Sequence, residues 1–250
     1  LHLCDRRQRQ MCIRDRNYAD LIRNAIAYFW NTRNKQLNDQ INREVQDAGN
    51  RGAVTGGKQM DGFVALLTKV ALDSGIPQEC IYTRSNQLPG YFRPTKDWDF
   101  LIISPTKKLI AVIEFKSQVG SFGNNFNNRT EEALGSAVDL WTAFRENVFP
   151  NQNAPWVGYL MTVERCAKST SIVRIAEPHF DVLNEFKNTS YLDRYSILCK
   201  KLILERHYTS AALLWTSDSN TYGNASEDIS INTFLAAFAG HLQGVANEFK

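Results

Sequence analysis

The chain has 250 residues, with 29 Lys and Arg against 26 Asp and Glu, a formal net charge of +3. Residues 1–16 hold Arg6, Arg7, Arg9, Arg14 and Arg16 against Asp5 and Asp15, so the whole excess lies there and the other residues carry 24 basic and 24 acidic groups; average basicity is therefore no pointer to a nucleic-acid partner. A composition 43 % hydrophobic and 22 % charged excludes a disordered chain, and no apolar run approaches the roughly 18 residues of a membrane span.

Leu1–Arg16 mixes Arg, Gln and Cys without helical or strand periodicity. It is expected to be a non-native or disordered tail, followed by a single domain over residues 17–250. An apolar secretory segment is missing at the start, and Cys4, Cys12, Cys80, Cys166 and Cys199 are scattered without a CxxC pair. A disulfide framework or zinc site is not expected, and a cytoplasmic protein is.

Leu21, Ile22, Ala25, Ile26, Phe29 and Trp30 recur at helical spacing, predicting a helix from Tyr18 to about Val45. The polar, Gly-rich Ala48–Gly57 reads as a loop. A second helical stripe runs from Phe63 to Leu72 and stops before Gly75 and Pro77. Cys80–Thr83 is a short strand and Asn86–Thr95, punctuated by Pro89, Gly90 and Pro94, a loop. Asp97–Ser104 and Leu109–Ser117 are the best strand candidates, and the turn Pro105–Lys108 between them predicts a hairpin. Gly120–Asn128 reads as a polar loop and Arg129–Asn147 as a strong helix. Val157–Val163 is a buried strand, Tyr191–Arg206 a helix, Ser210–Thr216 a strand and Thr233–Phe249 a closing helix. The expected fold is α/β: a central mixed β-sheet flanked by helices.

Two motif matches carry no chemistry. Gly52–Gln59 nearly spells the phosphate loop GxxxxGK[ST], but Gln59 stands where a hydroxyl should hold Mg²⁺ and no apolar strand precedes it. Asn128-Arg-Thr, Asn188-Thr-Ser and Asn224-Ala-Ser match the glycosylation sequon by chance in an Asn-rich chain. His2, His179, His207 and His241 show no ligand spacing.

The chemistry-bearing set lies on the hairpin. Strand alternation puts Glu114 and Lys116 on one face with Ile110 and Val112, and Ala111, Ile113 and Phe115 on the other. Both faces are largely apolar, as in a covered central strand. Asp99 sits among Trp98, Phe100, Leu101 and Ile102. Two carboxylates brought together repel unless a cation bridges them. Mg²⁺ takes oxygen ligands, commonly one or two carboxylates plus substrate phosphate. Asp99 and Glu114 as metal ligands and Lys116 beside them form a set able to hydrolyse a phosphodiester. The plain structural account is a buried Glu114–Lys116 ion pair.

Asp…Glu-x-Lys on such a hairpin resembles the PD-(D/E)XK nuclease superfamily. Leu88-Pro-Gly-Tyr-Phe-Arg-Pro-Thr-Lys-Asp-Trp-Asp99, Gly57-Lys-Gln-Met-Asp-Gly-Phe63, Glu114-Phe-Lys-Ser-Gln-Val-Gly120 and Ser121-Phe-Gly-Asn-Asn-Phe-Asn-Asn-Arg-Thr-Glu-Glu-Ala133 are similar to the XhoI-type restriction endonuclease family. So are Pro178-His-Phe180 and the stretch from Ser190 to Leu202. The resemblance implies a restriction-endonuclease-like core and a type II site-specific deoxyribonuclease that cleaves duplex DNA with Mg²⁺ at the palindrome CTCGAG. It carries the metal carboxylates onto Asp99 and Glu114 and the lysine onto Lys116. The superfamily's leading Pro-Asp is not intact, because Trp98 precedes Asp99, and Asp97 competes for the aspartate role.

Asn pairs bidentately with adenine and Arg with guanine. A loop bearing Asn124, Asn125, Asn127, Asn128 and Arg129 would lie near DNA in the site, with a helix cap as the alternative. Arg93 and Lys96 are candidate phosphate contacts. Asp61, Glu44, Glu131 or Glu132 would supply any additional metal ligand. With Lys116 and Arg129, the two cations are expected to line a basic cleft on the neutral body. A palindromic target implies a homodimer, a companion DNA methyltransferase would protect the host, and no membrane is involved. The competing readings are a structure-selective or repair nuclease of the same fold and a non-catalytic DNA-binding module.

Overall fold

The computed structural model describes residues 18–44 and 58–249. The tail Leu1–Arg16 and the loop Ala48–Gly57 lie outside the described residues. Helix α1 (Ala19–Glu44) is followed by α2 (Asp61–Asp73) and the strands β1 (Ile81–Tyr82), β2 (Gln87–Pro89), β3 (Thr95–Asp97), β4 (Phe100–Ile103) and β5 (Leu109–Gln118). Then come α3 (Phe122–Arg145), β6 (Trp156–Glu164), α4 (Ala167–Thr170), α5 (Tyr191–Leu204), β7 (Ser210–Thr216), β8 (Tyr222–Asn224) and α6 (Ile231–Gly244).

Six strands form one mixed sheet in the order β1-β4-β5-β6-β7-β8, and β2 and β3 form a separate antiparallel pair. β4 and β5 are antiparallel, as the turn between them predicts, whereas β5–β6 and β6–β7 are parallel. Each parallel step needs a crossover, and crossovers of the same hand in the same direction place their helices on one face. α3 and α5 accordingly share the face where Phe122, Ala133, Ala137, Leu140, Tyr195, Leu198 and Cys199 meet Val112, Tyr159, Met161 and Leu213. α1, α2 and α6 cover the other, where Ile26, Phe29, Phe63, Leu67, Phe234 and Phe238 pack on Ile113, Phe115, Leu160 and Ala212. The restriction-endonuclease-like arrangement expected from the sequence is thus present: a mixed sheet with helices on both faces.

Four sequence expectations change. Gly120–Asn128 is not a loop, because α3 begins at Phe122. Asn and Gly are poor helix formers, but Phe122 and Phe126 are anchored against Tyr191 and Tyr195 of α5 and hold the first turns helical. Asn86–Thr95 is not wholly loop, since its two ends pair as β2 and β3. Asp97–Ser104 is not one strand; it breaks at Trp98 and Asp99, leaving Asp97 in β3 and starting β4 at Phe100. Finally, Ile110 does not share the Glu114 face. Ile102 pairs with Ala111 and Ile103 with Leu109, so Ile110 is the extra residue of a bulge. It joins Ala111 in the core under α1 and α2.

The α1–α2 contact is close enough to require glycine. A Cβ on Gly62 would lie 2.8 Å from the Cα of Ala25 and 3.2 Å from the Cβ of Tyr28. Helix propensity alone would make Gly62→Ala stabilising by up to about 1 kcal/mol. The backbone contact reverses the sign, and a loss of roughly 1–3 kcal/mol is expected. A urea midpoint equal to or above wild type would refute this.

Candidate active site

The break between β3 and β4 sets the position of Asp99. Its Oδ2 accepts the Phe115 amide at 2.6 Å, tying the bend to the middle of β5. One residue before that amide, Glu114 points to the opposite face and is only 3 % exposed. Asp97 projects instead from β3, where its residue is exposed; Asp99 is the aspartate that the fold brings to Glu114.

Both Glu114 oxygens are occupied by ammonium groups. Lys116 Nζ approaches Oε1 at 2.6 Å and Lys96 Nζ donates to Oε2 at 2.8 Å. Lys116 also lies 3.6 Å from Glu132, whose carboxylate receives Arg129 at 2.6 Å. Burial favours a neutral Lys116, but Glu114, Glu132 and Asp99 together outweigh it and hold the ammonium above its ordinary range. Asp99 shows the converse: burial first, and the charge of Glu114 second, push its carboxyl up to about 6 against the opposing Phe115 amide, Lys116 and Lys96. Ionising Asp99 in the buried setting beside the charge of Glu114 is therefore unfavourable.

Glu114, Lys116 and Lys96 open into a cavity of about 540 Å³ lined also by Phe92, Arg93, Glu131, Glu132, Gly135, Ser136, Val138 and Asp139, whereas Asp99 is not among its lining residues. Three cations face four carboxylates there, so the expected basic cleft is not found. The cations of the cavity are each ion-paired, Arg93 with Asp139 at 2.7 Å. Lys96 is drawn in further than a peripheral phosphate contact: it stacks over Trp98 at 4.3 Å and is bonded to Glu114. Asn124, Asn127 and Asn128 are exposed on the first turns of α3, and Asn125 and Arg129 are half-buried there. They are presented by a helix rather than by a loop.

The extra ligand candidates separate. Glu131 and Glu132 line the cavity. Asp61 begins α2, its carboxyl raised by burial against the pull of Lys58 and Arg84. The side chain of Glu44 lies outside the described residues. Among the described residues no group of three or more His, Cys, Asp or Glu is gathered for a metal. Asp99 and Glu114 are thus a two-carboxylate oxygen donor set, which suits an ion that keeps water and phosphate ligands.

Two buried polar residues went unread in the sequence, and of these only Asp139 lines the cavity. Asp139, 4 % exposed on α3, accepts the amides of Tyr91 and Phe92 at 2.8 Å and Arg93 Nε at 2.7 Å. Its signal was a charge within the buried row Ala133, Ser136, Ala137 and Leu140. Gln59, set aside with the false phosphate loop, donates to Ser117 Oγ at 2.7 Å, next to Lys116, while its Oε1 is buried without a hydrogen bond.

The family described as Restriction endonuclease XhoI matches residues 39–227, a span that takes in every residue of the cavity. The type II restriction enzyme BstVI of Geobacillus stearothermophilus is 50 % identical over 207 residues, 79 % of this chain and 92 % of that enzyme. The type II restriction enzyme XhoI of Xanthomonas vasicola is 49 % identical over 193 residues, 75 % of this chain and 76 % of the relative. The type II restriction enzyme AbrI of Azospirillum brasilense is 45 % identical over 167 residues, 66 % and 74 % of the two chains. No solved structure gives a significant match.

The raised Asp99 carboxyl has a consequence for stability. A folded-state value of about 6 above the unfolded one means that its contribution is present below about pH 4 and lost as pH rises through about 6. Asp99→Asn removes this titration. In chelator at pH 8 the variant is expected to be more stable than wild type by on the order of 2–3 kcal/mol, with the difference vanishing at pH 4. Urea unfolding at the two pH values checks it; a gain of equal size at both would contradict the assignment.

Proposed function

The chain belongs to the XhoI restriction endonuclease family, and from that premise we propose how this type II restriction endonuclease acts on DNA. It hydrolyses phosphodiester bonds of duplex DNA at the palindrome CTCGAG, using a PD-(D/E)XK site of Asp99, Glu114 and Lys116. The observation that carries the reading is the placement of Asp99 against the amide following Glu114, with Lys116 on Glu114, and Glu114 and Lys116 facing an open cavity between the β2–β3 hairpin, β5 and α3.

Mg²⁺ held by Asp99 and Glu114 would supply Lewis acidity and a bound water of lowered pKa. The donor set supports that ion, being two carboxylates with no thiol or imidazole among the cavity residues. Asp99, fixed through Oδ2 by the Phe115 amide, would hold the ion together with Glu114. Lys116 places its ammonium beside the phosphate, stabilising the charge of the pentavalent state and orienting water. Arg93 and Lys96 approach the backbone from the β2–β3 hairpin, and a phosphate entering there competes for cations now paired with Asp139 and Glu114. Asn124, Asn125, Asn127, Asn128 and Arg129 present amide and guanidinium groups from the start of α3 to base edges. The palindrome is met by a homodimer, each subunit cutting one strand. The enzyme works in the cytoplasm with a companion methyltransferase that protects the same site. No described helix is long and apolar enough to cross a membrane.

A plasmid digest tests this. Discrete Mg²⁺-dependent fragments ending in the same sequence are expected, and sequencing the ends reads the target. Asp99→Asn, Glu114→Gln and Lys116→Ala should each lower cleavage by about 10³-fold or more, with circular dichroism unchanged. Smeared products would favour a structure-selective nuclease, and a gel shift without cutting a DNA-binding module. Cutting by Lys116→Ala at the wild-type rate would remove Lys116 from the site.

A further inference from the structure

Beside the reacting groups the chain displays two adjacent aromatic rings. Tyr91 is 52 % and Phe92 69 % exposed, and their rings meet edge-to-face at 4.9 Å. They occupy the tip between β2 and β3, and Phe92 lines the same cavity as Lys96, Glu114 and Lys116. Exposed large apolar side chains elsewhere, such as Ile172, Phe180 and Leu183, sit on the long connection between β6 and α5 and do not line that cavity.

The tip is rigid by construction. Leu88 and Trp98 bury its base against α3 and β6, and Trp98 N donates to Asn86 O at 3.1 Å across the pair. At the other end Asp139 receives the Tyr91 and Phe92 amides and the Arg93 guanidinium. Those bonds bring the carboxylate so close that a Cβ on Gly90 would lie 2.4 Å from Asp139 Oδ2. Burial would raise this carboxyl, but the Phe92 amide, Arg93 and the Tyr91 amide outweigh it and hold it below the usual range, so the anchor stays ionised. A buried anion thus fixes two apolar rings in water, an arrangement that lowers the ordering cost of binding but gives the free chain no burial of those rings.

We propose that the Tyr91–Phe92 pair is a wedge that enters the groove of duplex DNA and stacks on a base step beside the scissile phosphate. This rests on the reading of the chain as a DNA endonuclease and names a further element of target recognition. Arg93 follows the rings directly and reaches the backbone as they reach the bases. Apolar side chains inserted at base steps unstack and bend the duplex, and the energy of that deformation depends on sequence. The hairpin thereby adds discrimination that hydrogen bonds from α3 do not supply. Asp139 and Gly90 act as positioning residues.

The test uses the full chain with Mg²⁺ and duplexes carrying 2-aminopurine in place of each adenine in and next to the target. Wild type is expected to raise the fluorescence of one probe position before cleavage in a single turnover. Phe92→Ala should abolish that rise and increase KM about tenfold or more with kcat changed by less than about threefold, while Phe92→Trp keeps both near wild type. Gly90→Ala, with the rings intact but the tip displaced, should also raise KM. The variants lie on an exposed tip, and an unchanged thermal melt for Phe92→Ala verifies folding. If wild type cuts but no probe responds, or if Phe92→Ala keeps the signal and KM, the wedge is refuted while the endonuclease stands. If wild type cuts no duplex, both fail. If Phe92→Ala instead dimerises more weakly by light scattering, and at concentrations where it is still dimeric binds DNA as wild type does, the rings belong to a contact between copies and the wedge is again refuted.

Discussion

The burial of Asp99 beside the charge of Glu114 is the constraint on which the candidate site depends. Burial in the sheet strengthens their repulsion, because a low-dielectric surrounding screens poorly and offers no water. The fold does not relieve it by separating the groups. The Phe115 amide fixes one carboxylate from within the strand that carries the other. Lys96 and Lys116 balance Glu114 from the hairpin and from β5, leaving Asp99 as the group whose ionisation is unfavourable. Such a pair is poor for the stability of the free chain and well matched to a divalent cation. Stability around it comes from elsewhere, chiefly two apolar layers on either side of a continuous sheet.

The charge balance follows from the same constraint. A nuclease needs positive potential at the phosphate, yet the body of this chain is neutral and the cavity holds more carboxylates than cations. Each cation there is already paired, so the local field is that of a network of ion pairs. A bound metal would change this in two ways, adding its own charge and freeing ammonium groups from Glu114. On that reading, affinity for DNA and loading with metal would be coupled through the same oxygen atoms.

How far the site could be read in advance depended on whether a residue's surroundings were local. β4 and β5 were legible because an apolar run, a turn and a second apolar run are contiguous, and Asp99, Glu114 and Lys116 came with them. Strand alternation named the correct face for Glu114 but the wrong one for Ile110, since a bulge depends on the register of the partner strand. The start of α3 was illegible because Gly and Asn argue against a helix and the opposing evidence, Tyr191 and Tyr195, lies far along the chain. The three-residue strands β2 and β3 carry too little pattern, with exposed residues and prolines at the tip. Lys96 was seen as a cation near the site but not as a partner of Glu114, because the pairing needs that hairpin to fold back.

Asp139 shows why these long-range features belong to one mechanism rather than to separate accidents of folding. α3 is the crossover that makes β5 and β6 parallel, and its buried row packs on the sheet beneath the strand that carries Glu114 and Lys116. The same helix carries Asp139 on the hairpin tip, Glu132 against Lys116, and the Asn residues of its first turns. A shift of α3 along its axis would therefore move the hairpin, the lysine's partner and the amide groups together relative to Asp99 and Glu114. That helix is held by Ala133, Ala137 and Leu140 in the layer with Tyr159 and Tyr208, with Tyr208 Oη donating to Ala133 O at 3.0 Å, and on the proposed reading its rigidity would be a condition for placing phosphate and bases at once. The crossover demanded by parallel strands thus also sets the distance between the carboxylates proposed to react and the surfaces proposed to read the duplex.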